Sequence, residues 1–117
     1  MKIIMFGAGA SARMLYEKVA QKGEIVAFAD NDEKKWGTSL FGVPVCAPQK
    51  CLIDMQYDEV IISAFCGLED IRRQCLELGV PPQKIITSYF AASKESRIMF
   101  VKNLSALLNE YEQEADV

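Results

Sequence analysis

One stretch near the amino end constrains this chain more than any other. A nearly continuous apolar run, Lys2-Ile3-Ile4-Met5-Phe6, ends in Gly7-Ala8-Gly9-Ala10-Ser11-Ala12, and Ser11 to Gln21 then carries apolar residues at helical spacing. An unbroken apolar run of this length suits a central parallel strand buried on both faces. The glycines fit the pattern G-x-G-x-x-G/A at a strand-to-helix turn. The first permits a tight turn, the second lets a pyrophosphate approach the backbone, and a small third residue, here Ala12, lets the helix pack closely on the strand. A helix that starts there presents unpaired amide hydrogens and the positive end of its dipole to a phosphate. Asp30 follows Ala12 by 18 positions, at the end of a second apolar run, Ile25-Val26-Ala27-Phe28-Ala29. A carboxylate at that place accepts hydrogen bonds from ribose hydroxyls.

Each of these residues also has a plainer use. The glycines serve packing alone in a Rossmann-like domain without a ligand, Asp30 in Asp30-Asn31-Asp32 caps a turn, and Ser11 caps its helix. Both uses stay open on the sequence.

The rest of the chain repeats the strand–helix alternation. Glu59-Val60-Ile61-Ile62-Ser63-Ala64 reads as a third buried strand and Lys84-Ile85-Ile86-Thr87 as a last one. Leu68, Ile71, Cys75 and Leu78 mark a helix closed by Gly79, and Pro48 to about Met55 a short helix with proline in its first turn. Gly42-Val43-Pro44-Val45 is a short extended segment, and Pro44, lacking an amide hydrogen, belongs at an edge or in an irregular stretch. The expectation is an α/β fold: a three-layer Rossmann-like parallel sheet with a C-terminal helix. Residues 1–92 form the nucleotide-binding domain. Residues 93–117 form a terminal helix striped by Ile98, Val101, Leu104, Leu108 and Tyr111, for docking or oligomerisation.

In a doubly wound sheet, the first strand and the third long strand flank the crevice where ligands sit. This places Ala64, Phe65 and Cys66 opposite the glycine turn, with Phe65 either stacking on a base or filling the core. The candidate ligand-binding residues are therefore Gly7, Gly9, Ala10, Ser11, Ala12, Asp30, Asn31, Ala64, Phe65 and Cys66. Arg13 clamps a phosphate or is solvated. Lys34-Lys35-Trp36-Gly37 is either a wall beside the base or a cover on the sheet edge, with its lysines in water.

Composition closes off other functions. The 117 residues include no histidine, which removes a Ser-His-Asp triad, a Cys-His pair and any imidazole ligand or acid/base. No pair of carboxylates has a spacing suited to acid/base work. Cys46, Cys51, Cys66 and Cys75 lack the paired spacing of a zinc site and read as reduced thiols. Cys66 has no cation near it in sequence to activate it. The formal charge of −3 argues against nucleic acid as a partner. No apolar run approaches the roughly 20 residues of a membrane span, and no signal-peptide pattern is present, so a cytoplasmic location is expected. The expectations are no catalytic residue, no metal and a small-molecule nucleotide ligand.

The order Lys2–Gly9, Phe28–Gly37, Phe41-Gly42-Val43-Pro44-Val45 and Tyr57–Ser63 resembles one family. These are the small Rossmann-like nucleotide(-sugar)-binding domains of bacterial polysaccharide-biosynthesis enzymes. They precede hexapeptide-repeat sugar acetyltransferases and capsular nucleotide-sugar epimerases/dehydratases, and accompany some sugar methyl- and glycosyltransferases. The resemblance covers residues 1 to 90. In the acetyltransferases it implies a UDP-sugar site, with the glycine turn near the phosphates and Asp30 near the uridine; elsewhere it implies an NAD site. The sequence departs from the acetyltransferase pattern, where Gly-His-Gly stands in place of Ala10-Ser11-Ala12. The family's catalytic histidine belongs to the repeat domain.

The resulting expectation is a nucleotide-binding module, for NAD or a UDP-sugar, that is not catalytic alone. It would join a catalytic domain or a second copy through the terminal helix. The alternatives are a fragment of an NAD-dependent nucleotide-sugar epimerase/dehydratase or oxidoreductase, and a ligand-free interaction domain.

Overall fold

The computed structural model describes residues 1–64 and 67–87. The expected terminal helix of residues 93–117, and with it that part of the domain division, lies outside the described residues, as do Phe65 and Cys66. The described elements are β1 (Lys2–Phe6), α1 (Ala10–Lys22), β2 (Glu24–Ala29), β3 (Ser39–Leu40), β4 (Val43–Cys46), β5 (Glu59–Ile62), α2 (Leu68–Glu77) and β6 (Ile85–Ile86). They form a mixed α/β fold around a six-stranded sheet ordered β3-β4-β2-β1-β5-β6. All neighbours pair in parallel except β3, which runs antiparallel on the edge of β4.

The apolar runs in the sequence follow from burial on both faces. Along β1, Ile3 and Met5 join Ala12, Leu15 and Val19 of α1, with Phe28 and Ile61, in one core. The alternate residues Ile4 and Phe6 join Ala27, Val60, Cys51, Leu52 and Cys75 in the core on the opposite face. Successive strand residues point to opposite faces, so a strand covered on both sides has no polar position to spare. Each such side chain, fully removed from water, contributes about 1.5–3 kcal/mol.

Three elements differ from the sequence expectation. The helix expected over Pro48–Met55 contains a wide, π-type turn over Lys50–Asp54, which places Cys51 and Leu52 in the core. The third strand ends at Ile62 rather than Ala64. Ser63 still donates its amide to the Phe6 carbonyl of β1, at 2.9 Å. The β3–β4 hairpin was hidden because β3 has two residues. Its signature is the two-residue turn Phe41-Gly42, with φ of +53° and +76°, the positive pair that suits the twist of a hairpin. Phe41 is held there by stacking on Tyr16 of α1, ring centres 4.2 Å apart. β4 is thus flanked on both sides. Pro44 avoids a missing ladder bond because the pairing of β4 with β2 begins at Val45.

The topology fixes where a ligand crevice can lie. From β1 the chain moves to one side, to β2 and β4, and later returns to the other side, to β5 and β6. The strand order reverses at β1, so the crevice opens beyond the carboxyl ends of β1 and β5.

Candidate functional site

The glycine turn stands at that reversal. Gly7 takes φ +118°, and a Cβ on it would meet the Ala64 amide nitrogen and the Ser63 carbonyl carbon at 3.2 Å each. The first glycine therefore lets β1 turn while the backbone after β5 packs against it. Its amide donates to the Ala29 carbonyl at 2.7 Å. The buried Ser63 hydroxyl lies 2.8 Å from the Gly7 carbonyl and 3.1 Å from that of Phe6, and its one proton serves either. Ala64 belongs to this packing contact.

Gly9 plays a different part. It precedes α1 in extended conformation, φ −101°, and no side chain caps the helix. The first helical bond runs from the Arg13 amide to the Gly9 carbonyl. The amides of Ala10, Ser11 and Ala12 come before it, and helix geometry supplies them no partner. Among the described residues outside the turn itself, a Cβ built on Gly9 would meet the Lys35 Nζ, at 3.8 Å. The helix begins at Ala10, so Ser11 is inside it rather than a cap. Ser11 and Ala12 are buried, whereas Gly9 and Ala10 are half-buried.

Asp30 follows β2 directly, as expected. Its Oδ2 accepts the Ala8 amide at 2.8 Å and its Oδ1 the Asp32 amide at 2.8 Å. The carboxylate thus ties the glycine turn of β1 to the end of β2. Its side chain is 15 % exposed and the Lys35 ammonium lies 3.8 Å from Oδ2. A carboxylate offers about four lone pairs, so two amides leave acceptor capacity. Past Asp30, the Asp32 side chain accepts the Lys34 amide at 3.1 Å and caps a short 3₁₀ turn, Glu33–Lys35. The turn delivers Trp36, whose indole Nε1–H donates to the Asp30 carbonyl at 2.7 Å.

Asn31 exchanges two hydrogen bonds with Gln74 of α2, at 2.9 and 2.8 Å. This joins the segment after β2 to the helix after β5. No sequence signal marked Gln74, because the pairing bridges 43 positions. Lys35 and Trp36 were visible as a basic-aromatic patch, but not their approach to Gly9 and Asp30.

The buried thiols of Cys51 and Cys75 are not tuned for attack. Burial, reinforced by neighbouring Cys46, pushes the Cys51 thiol up to about 12, and burial pushes Cys75 up to about 11. Burial likewise raises the Tyr57 phenol. Among the described residues, no three His, Cys, Asp or Glu side chains gather to hold a metal ion, and no helix is long and apolar enough to cross a membrane. An open groove of about 510 Å³, lined by Lys2, Leu52, Tyr57, Asp58 and Lys84 among others, lies at the amino ends of the strands. Ligands of open α/β sheets bind at the carboxyl ends, and the glycine turn is there.

The chain belongs to the C2185-like, N-terminal family, whose model matches residues 1–86. Its fold is similar to that of UDP-D-quinovosamine 4-dehydrogenase from Vibrio fischeri. The two share 18% identity over 82% of this chain and 96% of that one, with a TM-score of 0.56. At that identity the likeness establishes a Rossmann-like architecture. No curated protein matches the sequence.

Proposed function

We propose that this chain is a Rossmann-like binding module for a ligand carrying a nucleoside diphosphate, NAD or a UDP-sugar. It serves bacterial polysaccharide or nucleotide-sugar metabolism and is not catalytic alone. One observation carries the reading: the uncapped amino end of α1 at Gly9, set at the reversal point of the sheet, where among the described residues outside the turn a side chain would meet the movable tip of Lys35. Diphosphate oxygens would accept from the amides around Gly9 and Ala10, aided by the helix dipole. The remaining lone pairs of Asp30 would accept from ribose hydroxyls, and Ala64 would line the far wall. A carboxylate at Asp30 repels a 2′-phosphate, so NAD is favoured over NADP. The absence of histidine from the sequence supports a binding role with catalysis supplied by another domain, such as a sugar-modifying transferase.

A second reading, a fragment of an NAD-dependent nucleotide-sugar epimerase or dehydratase, draws its support from the likeness to a UDP-sugar dehydrogenase. Thermal unfolding with NAD, NADP, UDP, UDP-GlcNAc and CoA tests the proposal. One of them raises the melting temperature, since a ligand specific to the folded state stabilises it by mass action. The Gly9→Val variant folds and loses the shift. No shift with any of them in the wild type would favour a ligand-free interaction domain. A shift that survives Gly9→Val would remove the glycine turn as the phosphate site.

A further inference from the structure

We infer that Lys35 and Trp36 complete the site, Lys35 as a cation on the diphosphate and Trp36 as the platform on which the base stacks. The inference rests on the reading of the glycine turn as the diphosphate site and adds two residues to it. The 3₁₀ turn after Asp30 sends two consecutive side chains back toward β1 and β2. The Lys35 ammonium stands 3.8 Å from where a Gly9 side chain would begin. It lies 3.8 Å from the Asp30 carboxylate, longer than the about 2.7–2.9 Å of a charge-assisted hydrogen bond. The charge is therefore held over the turn without being committed to Asp30, and a diphosphate there would meet it.

Trp36 is 40 % exposed, which is ordinary for a single apolar side chain. Its anchoring is less ordinary. The indole donates its one hydrogen bond to the Asp30 carbonyl at 2.7 Å, so the ring's edge is pinned to the residue whose carboxylate reaches the glycine turn. A rigid, partly open aromatic surface accepts any base. The cation, the carboxylate and the aromatic ring are thus joined through Asp30, the three groups that would meet the phosphate, ribose and base of a nucleotide.

Trp36 is the sole tryptophan of the chain, so its emission reports the ring directly. The full chain is titrated with UDP, with ADP and with inorganic pyrophosphate, following emission and calorimetry. UDP or ADP is expected to change Trp36 emission saturably, and the tighter of the two identifies a uridine or an adenosine source. Trp36→Leu weakens that nucleotide about 5- to 150-fold, the equivalent of about 1–3 kcal/mol of base stacking, and leaves pyrophosphate binding unchanged. Trp36→Phe restores most of the affinity. Lys35→Met weakens nucleotide and pyrophosphate together. Undiminished nucleotide affinity in Trp36→Leu, or equal loss of nucleotide and pyrophosphate, would overturn the stacking role while the glycine-turn reading stands. Undiminished pyrophosphate affinity in Lys35→Met would overturn the cation role. A wild-type chain that binds none of the three would overturn both this inference and the reading beneath it.

Discussion

Replacing each glycine of the turn with alanine separates what the turn needs from what a ligand needs. At Gly7 the added methyl meets two disadvantages. The backbone angle of +118° lies where L-residues rarely go, and the methyl would sit 3.2 Å from main-chain atoms of Ser63 and Ala64. Main-chain atoms between β5 and α2 do not swing aside as a lysine tip does. Backbone strain of this kind costs about 1–3 kcal/mol, and overpacking a close contact costs about 1–3 kcal/mol. Gly7→Ala should therefore lower the unfolding free energy by about 2–6 kcal/mol. At Gly9 the angle is an ordinary −101° and the nearest atom is the movable end of Lys35. Alanine is a weaker helix cap than glycine but stiffens the unfolded chain, so Gly9→Ala should cost under about 1 kcal/mol. Urea unfolding followed by circular dichroism reads both variants. A Gly7→Ala variant within 1 kcal/mol of wild type, or a Gly9→Ala variant as unstable as Gly7→Ala, would refute the division of labour.

Three further outcomes are expected. Asp30→Asn leaves one acceptor oxygen where two amides, those of Ala8 and Asp32, are now served; an unmatched amide should cost about 1–3 kcal/mol, read as a lower urea midpoint, and an unchanged midpoint would deny Asp30 its tie to the turn. Ser63→Ala removes a buried donor to the Gly7 or Phe6 carbonyl and should cost about 1–2 kcal/mol in the same assay; a neutral result would mean those carbonyls are satisfied elsewhere. Burial holds the Cys51 thiol protonated to about pH 12 and Cys75 to about pH 11, above the ordinary thiol value of 9.0. Their contribution to stability is present below about pH 9 and is lost as pH rises toward those values, because the unfolded chain ionises first. Replacing both with alanine should flatten the alkaline fall in melting temperature between pH 9 and 11, and an equally steep fall in the variant would contradict the assignment.

Much of the architecture was legible in the chain because burial on two faces leaves a periodic record. Ile3 to Phe6, Ile25 to Ala29 and Val60 to Ile62 admit no polar residue, and with helical segments between them this implies a parallel sheet sandwiched between helices. The glycine turn and the acidic residue after β2 were legible for the same reason, being local consequences of a strand, a turn and a helix in sequence. Where the pattern was weak, it misled. β3 is too short for any periodicity, the wide turn at Lys50–Asp54 uses ordinary helical residues, and Ser11 looks like a cap until the helix is seen to start one residue before it.

Only the packed chain decided how the turn is held. Asp30 had two readings on the sequence, and its hydrogen bonds to Ala8 and Asp32 give it a structural tie between neighbouring strands. The Asn31–Gln74 pair, the Ser63 hydroxyl beneath Gly7 and the Lys35 ammonium over Gly9 join segments from 26 to 57 positions apart. Apolar pattern records which side of an element faces water, a property each segment carries alone. A hydrogen bond between distant segments depends on where both arrive after the core has closed, and no single segment holds that information.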